Sequence, residues 1–269
     1  MKETDFLICP ICKSRLERID KSLICTSDSP KHHCFDLSSS GYSDLSYRSG
    51  GGGDPKDAVT DRTAFLDKGY FGSLSDALCD IIKSIHAENI LDICCGEGYY
   101  AEEIANKLNC SVYGFDLSNE MIRLAAKRKS KAEFFVANMS GIPIADNSID
   151  CAIHLFAPFC EREFLRVIKP GGYLISVCPG AKHLWEMKAA VYEKPYENEE
   201  DSPVLPGFSL DKAVNAGNHI TLADKRDIEA LFKMTPYYYH TSAQDKEKLL
   251  SLDKLTTRVD FYIRIYRKD

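Results

Sequence analysis

The feature that most constrains this fold is an alternation of apolar strand-like runs with helix-like segments between residues 89 and 178. Runs that are apolar along their whole length are buried on both faces, so helices must cover both sides of a mostly parallel sheet. The strands are predicted at 89–94, 111–117, 133–138, 149–156 and 173–178, and the intervening helices at 99–108, 119–129 and 162–168. The pattern therefore predicts an α/β fold.

The segments on either side extend this sheet. Residues 57–83 have the spacing of a helical lead-in with an apolar stripe. In the tail we predict a strand at 219–223, helices at 225–233 and 245–255, and a last strand at 258–266, where polar and apolar residues alternate. A closing antiparallel hairpin at the sheet edge is expected.

A different composition marks the N-terminus. Residues 1–46 are rich in Cys and His, and we predict that they form a separate zinc-binding module. A Gly-rich linker at 47–56 would join it to a catalytic domain at 57–269. Some 45 residues bury too little apolar surface for a stable core, and a tetrahedral metal ion can take the place of that core.

Four ligands are needed for such an ion. Cys9 and Cys12 form a Cys-x2-Cys pair, and Cys25 follows after a 12-residue spacer. From the residues alone the fourth ligand stays open among the neighbours His32, His33 and Cys34, since only one of these adjacent residues can complete the site without the chain doubling back. A redox Cys-x-x-Cys would start a helix within a βαβ unit, which this segment lacks.

The strongest chemical signal is the first predicted strand and the turn that follows it. The strand carries Asp92, and Gly96 and Gly98 lie in the turn, where glycines let the backbone approach a ligand closely. Glu97 in the same turn would repel a diphosphate, which argues against a dinucleotide. A ligand without phosphates fits better.

Polar residues also end the next two strands. Asp116 stands where a carboxylate can accept both hydroxyls of a ribose, and Asn138 stands where an amide can hydrogen-bond an adenine edge. A glycine turn, a ribose acid and an adenine amide at successive strand ends are what S-adenosylmethionine requires. Lys169-Pro-Gly-Gly172 and Ile142-Pro-Ile144 resemble the same segments of class I, Rossmann-like methyltransferases.

Taken whole, the chain resembles the bacterial 23S ribosomal RNA guanine-N1 methyltransferases. The resemblance runs almost end to end, through Cys9-Pro-x-Cys12, His33-x-Phe-Asp36, Gly41-Tyr42, Arg62-x-x-Phe-Leu66, Leu91–Tyr100, Ala157-Pro158, Pro179-Gly-x-x-His-Leu184 and Met234-Thr-Pro236. It implies methylation of N1 of a guanine in 23S RNA, recognition of that RNA by the module, and a homodimer. It also implies zinc at Cys9, Cys12, Cys25 and His33, and cofactor contacts from Phe71, Asp92, Cys94, Gly96, Gly98, Tyr100, Asp116, Asn138 and His183.

Two alternatives remain open. The net charge of −6 and the Gly run where relatives carry basic residues favour a small-molecule methyltransferase of the same fold. Cys94 replaces the first glycine of the family's turn, which motivates an inactive, cofactor-binding interaction module. A basic groove would support RNA as the substrate, whereas a closed apolar pocket would support a small molecule.

The general base is not evident from the sequence. Glu161, His154 and Glu186 are possible, and Phe156 or Phe159 could stack on an extruded base. No stretch approaches the roughly 20 apolar residues of a membrane-spanning helix, so we expect a cytoplasmic protein that contacts no membrane.

Overall fold

The structure, a computed structural model, describes residues 6–28, 31–46, 56–128 and 130–269. Side chains are described from Val59 onwards in the first helix. Nearly all of the predicted Gly-rich linker at 47–56 lies outside the described residues, and the statements below refer to the described part of the chain.

The N-terminal module is a small antiparallel sheet. Its strands are β1 (Leu16–Ile19), β2 (Ser22–Cys25) and β3 (Cys34–Asp36), joined in the order β1-β2-β3. A two-residue strand, β4 (Ser43–Asp44), follows and pairs in parallel with the main sheet instead. The predicted module boundary at residue 46 therefore falls just after a strand that belongs to the main sheet by its hydrogen bonds.

The main sheet confirms the predicted α/β class. Its parallel strands are β5 (Asn89–Ile93), β6 (Ser111–Asp116), β7 (Glu133–Val136), β8 (Ile149–Leu155) and β9 (Ile168–Pro179). The long β10 (Phe208–Leu222) and β11 (Leu255–Lys268) close it as an antiparallel hairpin, with the order β10-β11-β9-β8-β5-β6-β7-β4.

Helices cover both faces of this sheet. They are α1 (Lys56–Asp67), α2 (Gly72–Ser84), α3 (Tyr99–Lys107), α4 (Asn119–Ala125), α5 (Glu161–Val167), α6 (Trp185–Val191), α7 (Lys225–Lys233), α8 (Tyr237–His240) and α9 (Ala243–Leu250), with a 3-10 turn at Met139–Gly141. One core lies under α2, α3, α4, α6, α7 and α9. The second core lies under α5 and the N-terminal module.

Several predicted bounds are wrong. The lead-in is two helices, because the chain turns between Asp67 and Gly72, and α6 was not predicted. The strand predicted at 219–223 begins at Phe208, and the helix predicted at 245–255 ends at Leu250. Most of β10 is a solvent-exposed edge, so its sequence lacks the apolar alternation on which a strand prediction depends.

The module packs on the far edge of the main sheet. Leu7 pairs with Ile144, and Phe6 places its ring edge-on to Tyr113 with 4.5 Å between ring centroids. Leu16 of β1 is buried in the same core as the sheet residue Phe135. The described helices include none that is both long enough and apolar enough to cross a membrane.

Candidate functional site

The turn between β5 and α3 depends on backbone conformations that favour glycine. Cys94, Gly96 and Gly98 have φ of 56°, 57° and 80°. A Cβ on Gly98 would stand 2.8 Å from Cβ of Ala125 and 2.9 Å from Cζ of Phe134, so no side chain fits there. Cys94 adopts this left-handed conformation although it has a side chain, and such a conformation is unfavourable for residues other than glycine. Its thiol lies 3.9 Å from the sulfur of Met139.

Two buried polar side chains on either side of this turn, one in β5 and one in α3, have no hydrogen-bond partner among the described residues. Both carboxylate oxygens of Asp92 and the hydroxyl of Tyr100 are in this state. Burial, and next the charge of Glu97, raise the pKa of Asp92 well above its usual range. Buried polar atoms are normally paired, so these groups indicate a place where a polar ligand completes the hydrogen bonding.

Asp116, at the end of β6, holds the turn from the neighbouring strand. One carboxylate oxygen accepts from the backbone N–H of Gly96 at 3.1 Å, and the other accepts from Ser118 N–H at 2.8 Å. Burial raises the pKa of this carboxyl despite those two hydrogen bonds. Each oxygen retains a lone pair, so the predicted role toward a ribose is compatible with this geometry.

An ion pair ties α1 to the same turn. The Arg62 guanidinium Nε lies 3.1 Å from a carboxylate oxygen of Glu97, whose side chain is only 2% exposed. Arg128, after α4, donates to the backbone carbonyl of Glu97 at 2.6 Å and pairs with Glu102 of α3. Glu97 is therefore a structural anchor of the turn, a role that the sequence did not indicate.

The side chain of Asn138 already serves a backbone turn. Its carbonyl oxygen accepts from the N–H of Ser140 at 2.9 Å and from the Ser140 hydroxyl at 2.8 Å. This arrangement caps the 3-10 turn, with Asn138 exposed at the carboxyl edge of the sheet. An adenine contact from this residue stays a prediction, and it would have to come from the amide NH2.

Phe71 and His183, far apart in sequence, meet beside β11. Their ring centroids are 6.0 Å apart, and both rings contact Phe261, at 5.2 and 5.0 Å. His183 Nδ1 accepts from the backbone N–H of Asp260 at 3.1 Å. Burial lowers the pKa of His183 to about 4. The imidazole is therefore neutral at pH 7, with its proton on Nε2. Phe261 was not singled out by the sequence, although the alternation of the last strand could have placed it inward.

Two of the candidate general bases have structural roles. His154 is buried, and its Nε2 donates to the carbonyl of Pro158 at 2.9 Å; burial lowers the pKa of this imidazole. A Glu186 carboxylate oxygen accepts from the Thr257 hydroxyl and from the Arg258 backbone N–H. Glu161 is exposed at the start of α5 and stays a prediction.

The N-terminal module brings one metal-ligand set together. The ligand atoms of Cys9, Cys12, Cys25 and His33 all lie within 4.8 Å of one another. In a tetrahedral zinc site with Zn–S bonds of about 2.3 Å, neighbouring sulfurs are about 3.8 Å apart, so this set fits such an ion after small adjustments. His33 Nδ1 lies 3.5 and 3.6 Å from the sulfurs of Cys9 and Cys25.

The other two candidates for the fourth ligand point elsewhere. The Nδ1 of His32 lies 2.9 Å from the backbone carbonyl of Cys25, and the thiol of Cys34 is exposed and directed toward Asp36. Cys34 is the first residue of β3, and the backbone N–H of Cys25 donates to the His33 carbonyl at 3.0 Å, so the backbone pairing continues to His33. Successive residues of an extended chain point to opposite faces, which separates the His33 and Cys34 side chains.

Known proteins are similar to this chain over most of its length. Residues 90–172 match the family described as Methyltransferase domain. The chain is 30% identical to YxjB of Bacillus subtilis (strain 168), named as a candidate 23S rRNA (guanine-N(1)-)-methyltransferase, over 98% of this chain and 99% of that protein. It is 28% identical to the 23S rRNA (guanine(748)-N(1))-methyltransferase of Streptomyces fradiae, over 69% and 68%. A Micromonospora griseorubida relative with the same candidate name as YxjB is 27% identical over 87% of both chains.

Proposed function

Because this chain belongs to the family of 23S ribosomal RNA guanine-N1 methyltransferases, we propose that it transfers a methyl group from S-adenosylmethionine to N1 of a guanine in 23S RNA. One observation carries the proposal. The similarity to a relative named for this activity extends over 98% of the chain, and so includes the N-terminal module as well as the methyltransferase sheet.

The carboxyl edge of the sheet suits this cofactor. Asp92, Glu97 and Asp116 gather three carboxyl groups near the glycine turn, with Arg62 as the cation paired to one of them. A ligand that carries an ammonium and a sulfonium group reduces the mutual repulsion of these carboxylates. We assign cofactor contacts to residues in and around the turn between β5 and α3, to the end of β7, and to the aromatic pair beside β11: Asp92, Cys94, Gly96, Gly98, Tyr100, Asp116, Asn138, Phe71 and His183.

The metal-ligand set suits a structural zinc ion. Cys9, Cys12, Cys25 and His33 supply three sulfurs and one nitrogen, the donors that zinc prefers, and leave no open position for catalysis. We propose that zinc holds the first turn of the module to β2 and β3 and so fixes the surface between them.

That surface is the proposed RNA contact. The module as a whole carries no net positive charge, since residues 1–46 contain six Lys and Arg and seven Asp and Glu. Around β1, however, Lys13, Arg15, Arg18 and Lys21 are all exposed against only two acidic residues, which makes residues 13–21 locally basic in a chain whose net charge is −6. Phosphate recognition depends on such local clusters, so the acidic total does not decide against RNA. We further propose a homodimer, by family resemblance, working in the cytoplasm.

Methylation of guanine N1 requires the chain to align the two reactants and to remove a proton. S-adenosylmethionine supplies an electrophilic methyl group, and the site must hold guanine N1 in line with it. The N1 proton must leave, and Glu161, exposed after the β8 loop, is the proposed acceptor. His183, neutral with a proton on Nε2, can donate a hydrogen bond to the cofactor without adding a positive charge beside this cationic ligand.

The proposal is tested by methyl transfer from radiolabelled S-adenosylmethionine to 23S RNA that lacks its own modification. Primer extension maps the product, because a methyl group at N1 blocks base pairing. A single stop at a guanine would support the proposal and identify the nucleotide. Cofactor binding without transfer to RNA would favour a small-molecule substrate, and no cofactor binding at all would favour an inactive module whose turn is obstructed by Cys94.

A further inference from the structure

An aromatic residue at the end of β8 adopts a conformation that bulky residues avoid. Phe156 has a φ of 55°, in the left-handed region, and 44% of its surface is exposed. The backbone holds it there, since its N–H donates to the Val177 carbonyl at 3.2 Å. Both the conformation and the exposure of an apolar ring oppose folding, and such outliers concentrate at functional sites.

Phe156 lies beside the turn between β5 and α3. Strand β8 lies next to β5, with His154 in register with Ile93. Neighbouring strands are about 4.8 Å apart. Leu155 therefore lies alongside Cys94, and Phe156 lies one residue farther along. Among the described residues, Cys94 and Leu184 are the other non-glycine residues with left-handed backbones in loops at the carboxyl edge of the parallel strands.

The Phe156 ring has an aromatic support on one side. Its centroid is 6.0 Å from that of Phe261, which in turn contacts His183 and Phe71. A partly exposed ring that rests on this aromatic cluster offers a flat apolar surface next to the groups assigned to the cofactor.

Phe159, three residues later, is not such a surface. Its ring packs on His154 and Phe164, with centroids 4.7 and 6.2 Å away, and the Arg264 guanidinium lies 5.9 Å from its centre. His154 further fixes the loop by donating to the carbonyl of Pro158. Phe159 and His154 are thus the supports that hold the loop carrying Phe156.

We propose that Phe156 is the residue on which the target guanine stacks after it leaves the RNA. A purine withdrawn from its stack loses contacts with its neighbours, and an aromatic ring replaces them. The proposal rests on the proposed function and adds to it the residue that receives the base. It explains why a bulky side chain occupies a backbone position where glycine would be favoured.

The test compares Phe156→Ala with Phe156→Tyr, and uses Tyr239→Ala as a matched control, because Tyr239 is an exposed aromatic on α8. Loss of one base-stacking contact should lower kcat/KM for RNA by about 10- to 100-fold in Phe156→Ala. Phe156→Tyr and Tyr239→Ala should stay within about threefold of wild type, since a tyrosine ring also stacks. Calorimetric affinity for S-adenosylmethionine should be unchanged in all three variants.

Stability provides a second readout. Phe156→Gly should unfold at the same urea concentration as wild type or at a higher one, because glycine adopts the left-handed conformation without strain. The same variant should methylate RNA as poorly as Phe156→Ala. If the wild-type chain methylates RNA and Phe156→Ala methylates it equally well, the stacking role is refuted while the proposed function stands. The same holds if Phe156→Ala loses activity only because it also loses cofactor binding or unfolds. Absence of transfer by the wild-type chain would defeat the proposed function, and the stacking role with it.

Discussion

Substituting alanine for Gly98 should destabilise the protein far more than the same change at Gly96. Both glycines have left-handed backbones, so each substitution costs about 1–2 kcal/mol from conformation. A Cβ at Gly98 also meets Ala125 and Phe134 at 2.8 and 2.9 Å, whereas a Cβ at Gly96 meets nothing within 4 Å. Overpacking adds about 1–3 kcal/mol, so Gly98→Ala should lose about 2–5 kcal/mol in total.

Urea unfolding of both variants, followed by circular dichroism, measures the difference directly. The two variants share the conformational cost, so the gap between their free energies of unfolding isolates the clash between α3, α4 and β7. Equal losses in the two variants would refute the conclusion that close packing at Gly98 requires glycine. A larger loss in Gly96→Ala would show that the turn is packed differently.

Cys25→Ser should lower the zinc content of the purified protein, measured by atomic emission, whereas Cys34→Ser should retain the metal because its thiol is exposed and points away from the ligand set. Equal zinc content in the two variants would contradict that set. Arg62→Met should lower the free energy of unfolding by about 1–3 kcal/mol, because the buried Glu97 loses its ion pair while water screens the one-third-exposed Arg62. Adding Glu97→Gln should restore most of this loss, and purely additive effects of the two changes would count against the pair. Asp92 has a raised pKa in the folded state, so the stability that its protonation contributes is present below the unfolded pKa of about 3.9 and is lost as the pH rises through the folded value. Asp92→Asn should therefore be more stable than wild type at pH 7, and this advantage should shrink as the pH falls toward 4; a difference independent of pH would show that the charge is not the cause.

Much of the central fold could be predicted because its signals are local. The strands around Asp92, Asp116 and Asn138 are short apolar runs bounded by turn residues, and their alternation with helices leaves one reasonable arrangement. The predictions failed where burial does not mark the element. Most of β10 pairs through its backbone and exposes its side chains, and the chain between Asp67 and Gly72 breaks a helical pattern without a proline.

The candidate zinc ligands show the same difference between local and tertiary signals. Spacing alone identified Cys9, Cys12 and Cys25, because a Cys-x2-Cys pair and a distant cysteine are a local and sequential signal. Only the family resemblance preferred His33 among its neighbours. The backbone hydrogen bond from Cys25 to His33, which continues the β2–β3 pairing, supplies the physical reason: His33 lies beside the cysteines, and Cys34, the next residue, points away from them.

The sequence by itself determined the parallel sheet, the glycine turn, the acids at the strand ends and the cysteine pair, since each is written in neighbouring residues. The tertiary structure decided the contacts, the burial and the backbone conformation of individual residues. It brought Arg62 to Glu97 and Phe71 to His183, buried the Asp92 carboxyl without a hydrogen-bond partner in the described part of the chain, and held Phe156 exposed in a strained backbone. These properties depend on distances between segments far apart in the chain and on the exclusion of water, and no local pattern of residues encodes either quantity.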